Sequence, residues 1–502
     1  MMKNKKRVVL IGLDGATWDL IKPWADKGKL PTFKYLMENG VWGTLQSTIP
    51  PLSPSAWTSI YTGCTPFKHG IFGFMKRKKD SYFYTPISSK DRKKPAIWSI
   101  LSDYGKRVVV VNALFSYPPE KVNGVLITGL GTPSKESNFV HPPEYKKLIL
   151  DKFPNYDVDF NEDLMLVSED IGKFIARVRE ITFEQIKLTE YLLEHEKCDF
   201  LFSIFRALDV IQHYFWDDKH LILEFYAIFD RFLREILDSI VGDDYLFVVS
   251  DHGFSRVERY FCVNNWLERI GMLRWKMERK KSLITAEKIK YLLLKLGMRS
   301  FVWKMKRSDS LERFLKIFPS EEFSHVSIDW SRTKAYFLEG SDGIICINLT
   351  GREPQGIVSD DEYQKVVKYI VSELEKLRDE KTGERIVEKI ILKEEICEAN
   401  CRDFPDIFIL LNRKYRAVGF NKIDKSIFMQ PIHKKTFRPA DHDINGIFAA
   451  FTKKDPKRRM LEKCIRPWDI APTILYVLNL PIPDYLDGRV IKEALPKKGD
   501  SD

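Results

Sequence analysis

Asp251 and His252 stand side by side at the end of the run Phe247-Val248-Val249-Ser250. Packing does not explain the pair, because each side chain has to be solvated or partnered. Together they offer one oxygen and one nitrogen ligand, a mixture that suits Zn²⁺ and is acceptable to Mn²⁺. Asp14 occupies the same kind of position after Val8–Leu13. In open α/β sheets ligands bind beyond the carboxyl ends of strands, so an acid there is placed to hold a cation. Taken alone, Asp14 is read as simply as a turn or cap residue before a helix starting near Thr17. Asp209 and His213 are four residues apart in Asp209-Val210-Ile211-Gln212-His213. On a helix that spacing puts both on one face, where they can converge on one ion or merely form a surface pair.

Two further signals are weaker by themselves. Hydroxyls crowd the stretch from Pro50 to Ile71, where Ser53 sits between prolines. A hydroxyl held against a metal becomes an alkoxide nucleophile; a Ser/Thr-rich turn is the plain alternative. His442 lies in Asp441-His442-Asp443, an acidic loop ahead of Gly446-Ile447-Phe448.

These residues need elements to hold them. Short β-branched runs end in Gly, Asp or Asn at Val8–Leu13, Val108–Val111, Val125–Thr128, Leu246–Ser250 and Ile407–Leu411. Phe200–Phe205, Ala335–Leu338, Ile344–Asn348 and Ile447–Phe451 have a similar character. Buried strands of α/β proteins look like this. Amphipathic helical stretches lie between them, at Ile181–His195, Leu221–Ile240 and Glu362–Leu377. The alternation predicts an α/β fold, a three-layer doubly wound sheet that is mostly parallel.

The chain has 502 residues, with 81 Lys and Arg against 70 Asp and Glu, and a net charge of +11. Between Arg269 and Lys316 there are 15 basic and 4 acidic residues, so this one segment carries the whole excess. A uniformly basic nucleic-acid binder is therefore disfavoured. From Leu267 to Ser324 helical stripes are expected, with Ile289, Leu292, Leu293 and Leu296 at the spacing of one helix face. The expected organisation is a discontinuous catalytic domain over 1–266 and 325–495, a helical basic cap inserted at 267–324, and a frayed tail at 496–502. Apolar runs fall short of the roughly 20 residues of a membrane span. The run Val8–Leu13 is also too short for a secretory signal, which points to a cytoplasmic protein. Seven Cys at long spacings outline no disulfide framework, and Cys397 and Cys401, the close pair, are expected as reduced thiols.

The order of the set is more specific than its parts. Strand then Asp14, hydroxyl stretch at Ser53, Asp209 with His213, strand then Asp251 and His252, and finally His442: in this order the chain resembles the alkaline phosphatase superfamily. It is most similar to the type I phosphodiesterase and nucleotide pyrophosphatase branch, in its predicted phosphohydrolase/phosphomutase subgroup. The strings GLDGATWDLI, PPLSPSAWTSIYTGCTPFKHGIFGF, LDVIQHYFW, VVSDHGF and RPADHDINGIF carry the resemblance. DWSRTKAYF, INLTGREPQGIV and DIAPTILYVLNLPIPDYLDGRV extend it over residues 7 to about 492.

The resemblance implies an alkaline phosphatase-like fold and two divalent ions, Zn²⁺ ahead of Mn²⁺. One ion would take Asp14, Ser53, Asp251 and His252, and the other Asp209, His213 and His442. Ser53 falls where the family has a Thr or Ser nucleophile, so a phosphoseryl intermediate is implied. Arg206 is a candidate phosphate contact by its closeness to Asp209. The implied activity is a two-metal phosphoric ester hydrolase of phosphodiesterase or pyrophosphatase type, acting on a small phosphate ester. A sulfatase is disfavoured, because Ser53 is followed by Pro54, Ser55, Ala56 and Trp57, without the Pro and Arg in register that the modified nucleophile needs. The layout of cofactor-independent phosphoglycerate mutases is disfavoured as well, since the clearest insertion follows His252. A phosphomutase or phosphotransferase would use the same residues and differ only in what accepts the phosphoryl group. A non-enzymatic alternative gives the basic residues 269–316 the function, binding of an anionic membrane surface or of nucleic acid, and leaves the metal site vestigial.

Overall fold

The computed structural model describes residues 6–160, 162, 171–283, 320–338, 340–397, 401–419, 426–430, 438–456 and 458–496. The chain divides into two compact units, one of residues 1–72, 88–255 and 439–502, the other of 73–87 and 256–438.

The first unit is built on a nine-stranded sheet. Val8–Leu13 lies near its middle, parallel to Tyr245–Val249 on one side and to Phe200–Phe205 on the other. Val108–Ala113 and Gly124–Thr128 continue the parallel set beyond Phe200–Phe205. Antiparallel Asn445–Phe451 joins beside Tyr245–Val249, with Val41–Gln46 beyond it. All six residues of Val8–Leu13, of Val108–Ala113 and of Phe200–Phe205 are buried, because helices cover both faces. Val9, Ile11 and Leu13 pack into a core shared with Phe225, Phe229 and Leu233 of the helix Lys219–Ser239. On the opposite face Gly12 meets Trp57, and a Cβ at Gly12 would lie 2.5 Å from the indole ring. The helix Ser53–Thr62 can come this close to the sheet because residue 12 has no side chain.

Register fixes where the site must be. Gly12 is opposite Ile204 and Val249, and Leu13 is opposite Phe205. The chain therefore leaves three adjacent strands at one level, into Asp14, Arg206 and Ser250-Asp251, at the carboxyl edge where such sheets bind ligands.

Each expected strand is present within two residues of its expected ends. The helix expected at Ile181 starts ten residues earlier, at Ile171, since Phe174 and Val178 continue its buried stripe. Several elements, among them a strand and a helix of this unit, were not expected. Val41–Gln46 holds a glycine that weakens its strand signature. Ser53 opens a helix, not a loop, because Pro54 sits in the first turn, where a proline needs no N–H partner.

The second unit holds a four-stranded sheet of Ala335–Phe337, Ile344–Ile347, Ile407–Leu411 and Val387–Leu392, with the helix Asp360–Lys376. The cap expected at 267–324 falls within this unit. Where helical stripes were expected at its ends, Trp275–Leu283 pairs antiparallel with Ser320–Ile328. Trp275-Lys276-Met277-Glu278 alternates with the two-residue period of a strand, which helical spacing passes over. The stripe at 289–296 and the tail beyond 496 lie outside the described residues. Cys397 and Cys401, expected as thiols, form a disulfide. Their Cα atoms are 6.2 Å apart, inside the usual bridging range.

Candidate metal centre

Every sequence-predicted ligand belongs to the first unit, and the fold brings all seven together. Asp14 is fully buried at the end of the central strand. Its Oδ2 accepts the Trp57 indole N–H at 3.0 Å, while its Oδ1 lies 3.5 Å from His252 Nε2. Asp251 Oδ1 accepts the Gly15 N–H at 3.3 Å, and its Oδ2 lies 3.2 Å from the same Nε2. Ser53 Oγ is the third neighbour of that nitrogen, at 3.0 Å.

The second cluster hangs from the helix Ala207–Phe215. Asp209 Oδ1 is 3.1 Å from His213 Nε2 and 3.5 Å from His442 Nε2. The two imidazole nitrogens face each other at 3.1 Å. His442 reaches the site because Ala440–Asp443 pairs with Gly253–Arg256, the strand that follows His252. The His252 and His442 rings stack with centroids 3.7 Å apart, so the clusters are neighbours.

Hydrogen bonding decides what these groups can do. His213 Nδ1 faces the Ala440 carbonyl at 3.2 Å, His442 Nδ1 faces the Pro51 carbonyl at 3.0 Å, and His252 Nδ1 faces the Gly253 carbonyl at 3.0 Å. A carbonyl accepts only, so each ring carries a proton on Nδ1 and, when neutral, turns an Nε2 lone pair inward. Three lone pairs then converge with three carboxylate oxygens. Asp14 Oδ1, Asp209 Oδ1 and Asp251 Oδ2 are buried and have no hydrogen-bond partner. Such an arrangement repels itself unless a cation fills it.

The spacing fits that cation. Two ligands of a tetrahedral ion with bonds of about 2.0–2.1 Å lie about 3.3 Å apart, and the contacts above span 3.0 to 3.5 Å. The charges agree. Burial, then the neighbouring charges of Asp251 and Asp209, push the Asp14 carboxyl well above its ordinary range. Burial and Asp209 push Asp251 up to about 8. Burial and His442 hold His252 well below the usual imidazole range. For Asp209 burial works upward, but His213, His442 and Arg206 outweigh it and hold the carboxyl low. Two acids that would keep protons and an imidazole that stays neutral form a set a divalent ion can satisfy.

Arg206, expected as a phosphate contact, is already engaged. Its guanidinium meets Asp159 at 2.5 Å, Glu162 at 2.6 Å and Asp209 Oδ2 at 3.3 Å. It holds the outer oxygen of Asp209 while the inner one faces the imidazoles. Sequence reading passed over Asp441, whose Oδ1 lies 3.7 Å from both His213 Nδ1 and His442 Nε2. Its place beside His442 in an acidic loop was the only signal. Trp57 was also missed, since an indole gives no sign of which acid it will hold.

His69, in the hydroxyl stretch, stands apart from the clusters. Its Nδ1 accepts the Ile71 N–H at 3.1 Å, so Nε2 is the donor toward Ser59 Oγ at 3.0 Å. Burial, with Arg92 adding to it, pushes this imidazole down to about 3. The folded value lies below that of the unfolded chain, near 6.5, so the unfolded state binds the extra proton between the two. Stability is therefore complete above about pH 6.5 and falls as pH drops, by about 1.4 kcal/mol per pH unit for one proton. Urea midpoints taken from pH 7 to pH 5 should decline more steeply for the wild type than for His69→Asn. Equal slopes would mean that His69 is not the group responsible.

Comparisons with known proteins bear on the family and the fold. A sequence model of the family "Type I phosphodiesterase / nucleotide pyrophosphatase" matches residues 8–443. Among solved structures, phosphonoacetate hydrolase from Sinorhizobium meliloti 1021, in complex with phosphonoformate, is 16% identical over 95% of each chain, with a TM-score of 0.55. The alkaline phosphatase PafA is 14% identical over 99% of this chain and 100% of its own, with a TM-score of 0.55. An inactive variant of murine ectonucleotide pyrophosphatase / phosphodiesterase 5, in complex with AMP, is 14% identical over 97% and 98%, with a TM-score of 0.52. At these identities the likeness is one of fold. No curated protein matches the chain.

Proposed function

The chain belongs to the type I phosphodiesterase / nucleotide pyrophosphatase family, and from that membership we propose a phosphoric ester hydrolase that uses two divalent ions and Ser53 as its nucleophile. In this reading Asp14, Ser53, Asp251 and His252 hold one ion, and Asp209, His213 and His442 hold the other. The observation that carries it is the convergence of three unpartnered carboxylate oxygens on three imidazole lone pairs. Zn²⁺ suits this nitrogen and oxygen set best, with Mn²⁺ next. Bound ions would lower the pKa of a hydroxyl beside them and offset charge on the phosphoryl oxygens.

The side chains supply the rest. Ser53 begins the helix Ser53–Thr62, so the positive end of the helix dipole adds to the potential at its Oγ. That oxygen would attack phosphorus in line with the leaving group, and water would later hydrolyse the phosphoseryl chain. The carbonyls behind His213, His252 and His442 keep each ring from rotating. Arg206, screened by three carboxylates, would act on Asp209 and not on substrate. Phosphonoformate and AMP, bound by two proteins of similar fold, support a small phosphorus-bearing substrate. A cytoplasmic location is part of the proposal; among the described residues no helix is long and apolar enough to cross a membrane.

One plate tests the reaction class. Nitrophenyl phosphate, bis-nitrophenyl phosphate, a nitrophenyl phosphonate and nitrophenyl sulfate are each offered with Zn²⁺, Mn²⁺ and Mg²⁺. Fastest release from the diester or phosphonate is expected. Preference for the monoester would remove the phosphodiesterase assignment. Transfer to added alcohols in place of hydrolysis would favour the transferase.

A further inference from the structure

The turn 14–17 carries Asp14 into the first cluster, and its backbone is tied down by residues of the other ligand-bearing segments. Asp14 N–H donates to the Phe205 carbonyl at 2.9 Å, and Gly15 N–H donates to Asp251 Oδ1 at 3.3 Å. The Ala16 carbonyl accepts from Ser250 Oγ at 2.9 Å. The Gly15 carbonyl accepts from Gln212 Nε2 at 2.9 Å. Gln212 lies between Asp209 and His213 on their helix. Its Oε1 accepts from the Tyr226 hydroxyl at 3.2 Å, and the same hydroxyl oxygen accepts the Thr17 N–H at 3.1 Å. Gln212 and Tyr226 are fully buried, and Thr17 is nearly so. Gly15 has φ +70°, and a Cβ there would lie 2.6 Å from the Phe254 ring. That ring packs edge-on against His213, with centroids 4.7 Å apart. The turn is gripped by Gln212 from the helix that carries Asp209 and His213, and it abuts the ring that packs on His213 of the same cluster, so it links the first cluster to the second.

On the two-ion reading above, we propose that Gln212 and Tyr226 are positioning residues that couple the two clusters, so that a divalent ion in one raises the affinity of the other. An ion at Asp209, His213 and His442 fixes the helix. Through Gln212 the helix fixes Gly15, and with it Asp14 and the Gly15–Asp251 bond. The second ion then meets ligands already ordered. Neither residue offers an atom to an ion, and both act through the turn.

The test is a titration of metal-free protein with Zn²⁺ against a chromophoric chelator. Wild type should take up two equivalents, the second at least about fivefold tighter than the first, the lower end of ordinary site coupling. Gln212→Met keeps the side-chain volume and removes both hydrogen bonds. Tyr226→Phe removes the hydroxyl that joins Gln212 to Thr17. Both variants should still bind two equivalents, with the advantage of the second ion lost. Thr182→Val deletes a buried hydroxyl that donates to Val178 on another helix of the unit, and it should leave the ratio as in wild type. If Tyr226→Phe does not fold, Gln212→Met gives the same readout. A ratio unchanged in Gln212→Met, or lost equally in Thr182→Val, overturns the coupling and leaves the two-ion reading intact. Wild type that binds fewer than two ions removes that reading, and the coupling with it.

Discussion

Ser53→Ala is expected to lower turnover of the best nitrophenyl substrate by at least about a thousandfold, the scale on which an enzyme fails when its nucleophile is removed. The protein should nevertheless bind two equivalents of Zn²⁺ and melt near the wild-type temperature. The reason is geometric. Ser53 Oγ meets His252 Nε2 at 3.0 Å, and that nitrogen keeps Asp14 and Asp251 as neighbours when the hydroxyl is gone. The helix that Ser53 opens is held by Trp57 against Gly12 and by its hydrogen bonds, not by the serine hydroxyl. Turnover within tenfold of wild type would exclude Ser53 as nucleophile. Loss of the ion at Asp14, Asp251 and His252 would make it a ligand first.

The second large effect is expected on stability. Stripping divalent ions with a chelator should abolish turnover and lower the melting temperature, and Zn²⁺ should restore both. Ions that bind only the folded chain stabilise it by about 2.7 kcal/mol per site at a hundredfold excess over Kd. Domain stabilities run to about 5–15 kcal/mol, so two such sites are a large share. The direction follows from the buried oxygens of Asp14, Asp209 and Asp251, which have no partner of their own. His213→Ala should reduce the equivalents bound from two to one, leaving the cluster of Asp14, Asp251 and His252 loaded. Identical melting with and without chelator would mean that the oxygens are satisfied by protons alone.

The basic segment illustrates where sequence reading ran short. Its charge excess at 269–316 is a fact of the sequence, yet Trp275–Leu283, which begins with an alternating pattern, is strand where helix is expected. Arg206 is a second example. Its position just before Asp209 suggested a phosphate contact, but Asp159 and Glu162, more than forty residues upstream, are folded onto its guanidinium. The disulfide between Cys397 and Cys401 is a third, since spacing of four is compatible with helix, turn or bridge.

The sequence by itself determined the buried strands and the acid after each of two of them. It also determined the pairing of Asp209 with His213 and the order of all seven candidate ligands. Those are local properties: a buried β-branched run, an abrupt carboxylate, a helical interval. Only the tertiary structure decided that Asp14, Asp251 and His252 share one point, because that depends on sheet order, with Val8–Leu13 between Phe200–Phe205 and Tyr245–Val249. It alone decided which ring nitrogen faces inward, because the carbonyls of Pro51, Gly253 and Ala440 set each tautomer. Residues such as Trp57, Gln212 and Tyr226 stayed invisible for the same reason. Their types are ordinary for a core, and their role comes from a hydrogen-bond partner up to about two hundred residues away in the chain.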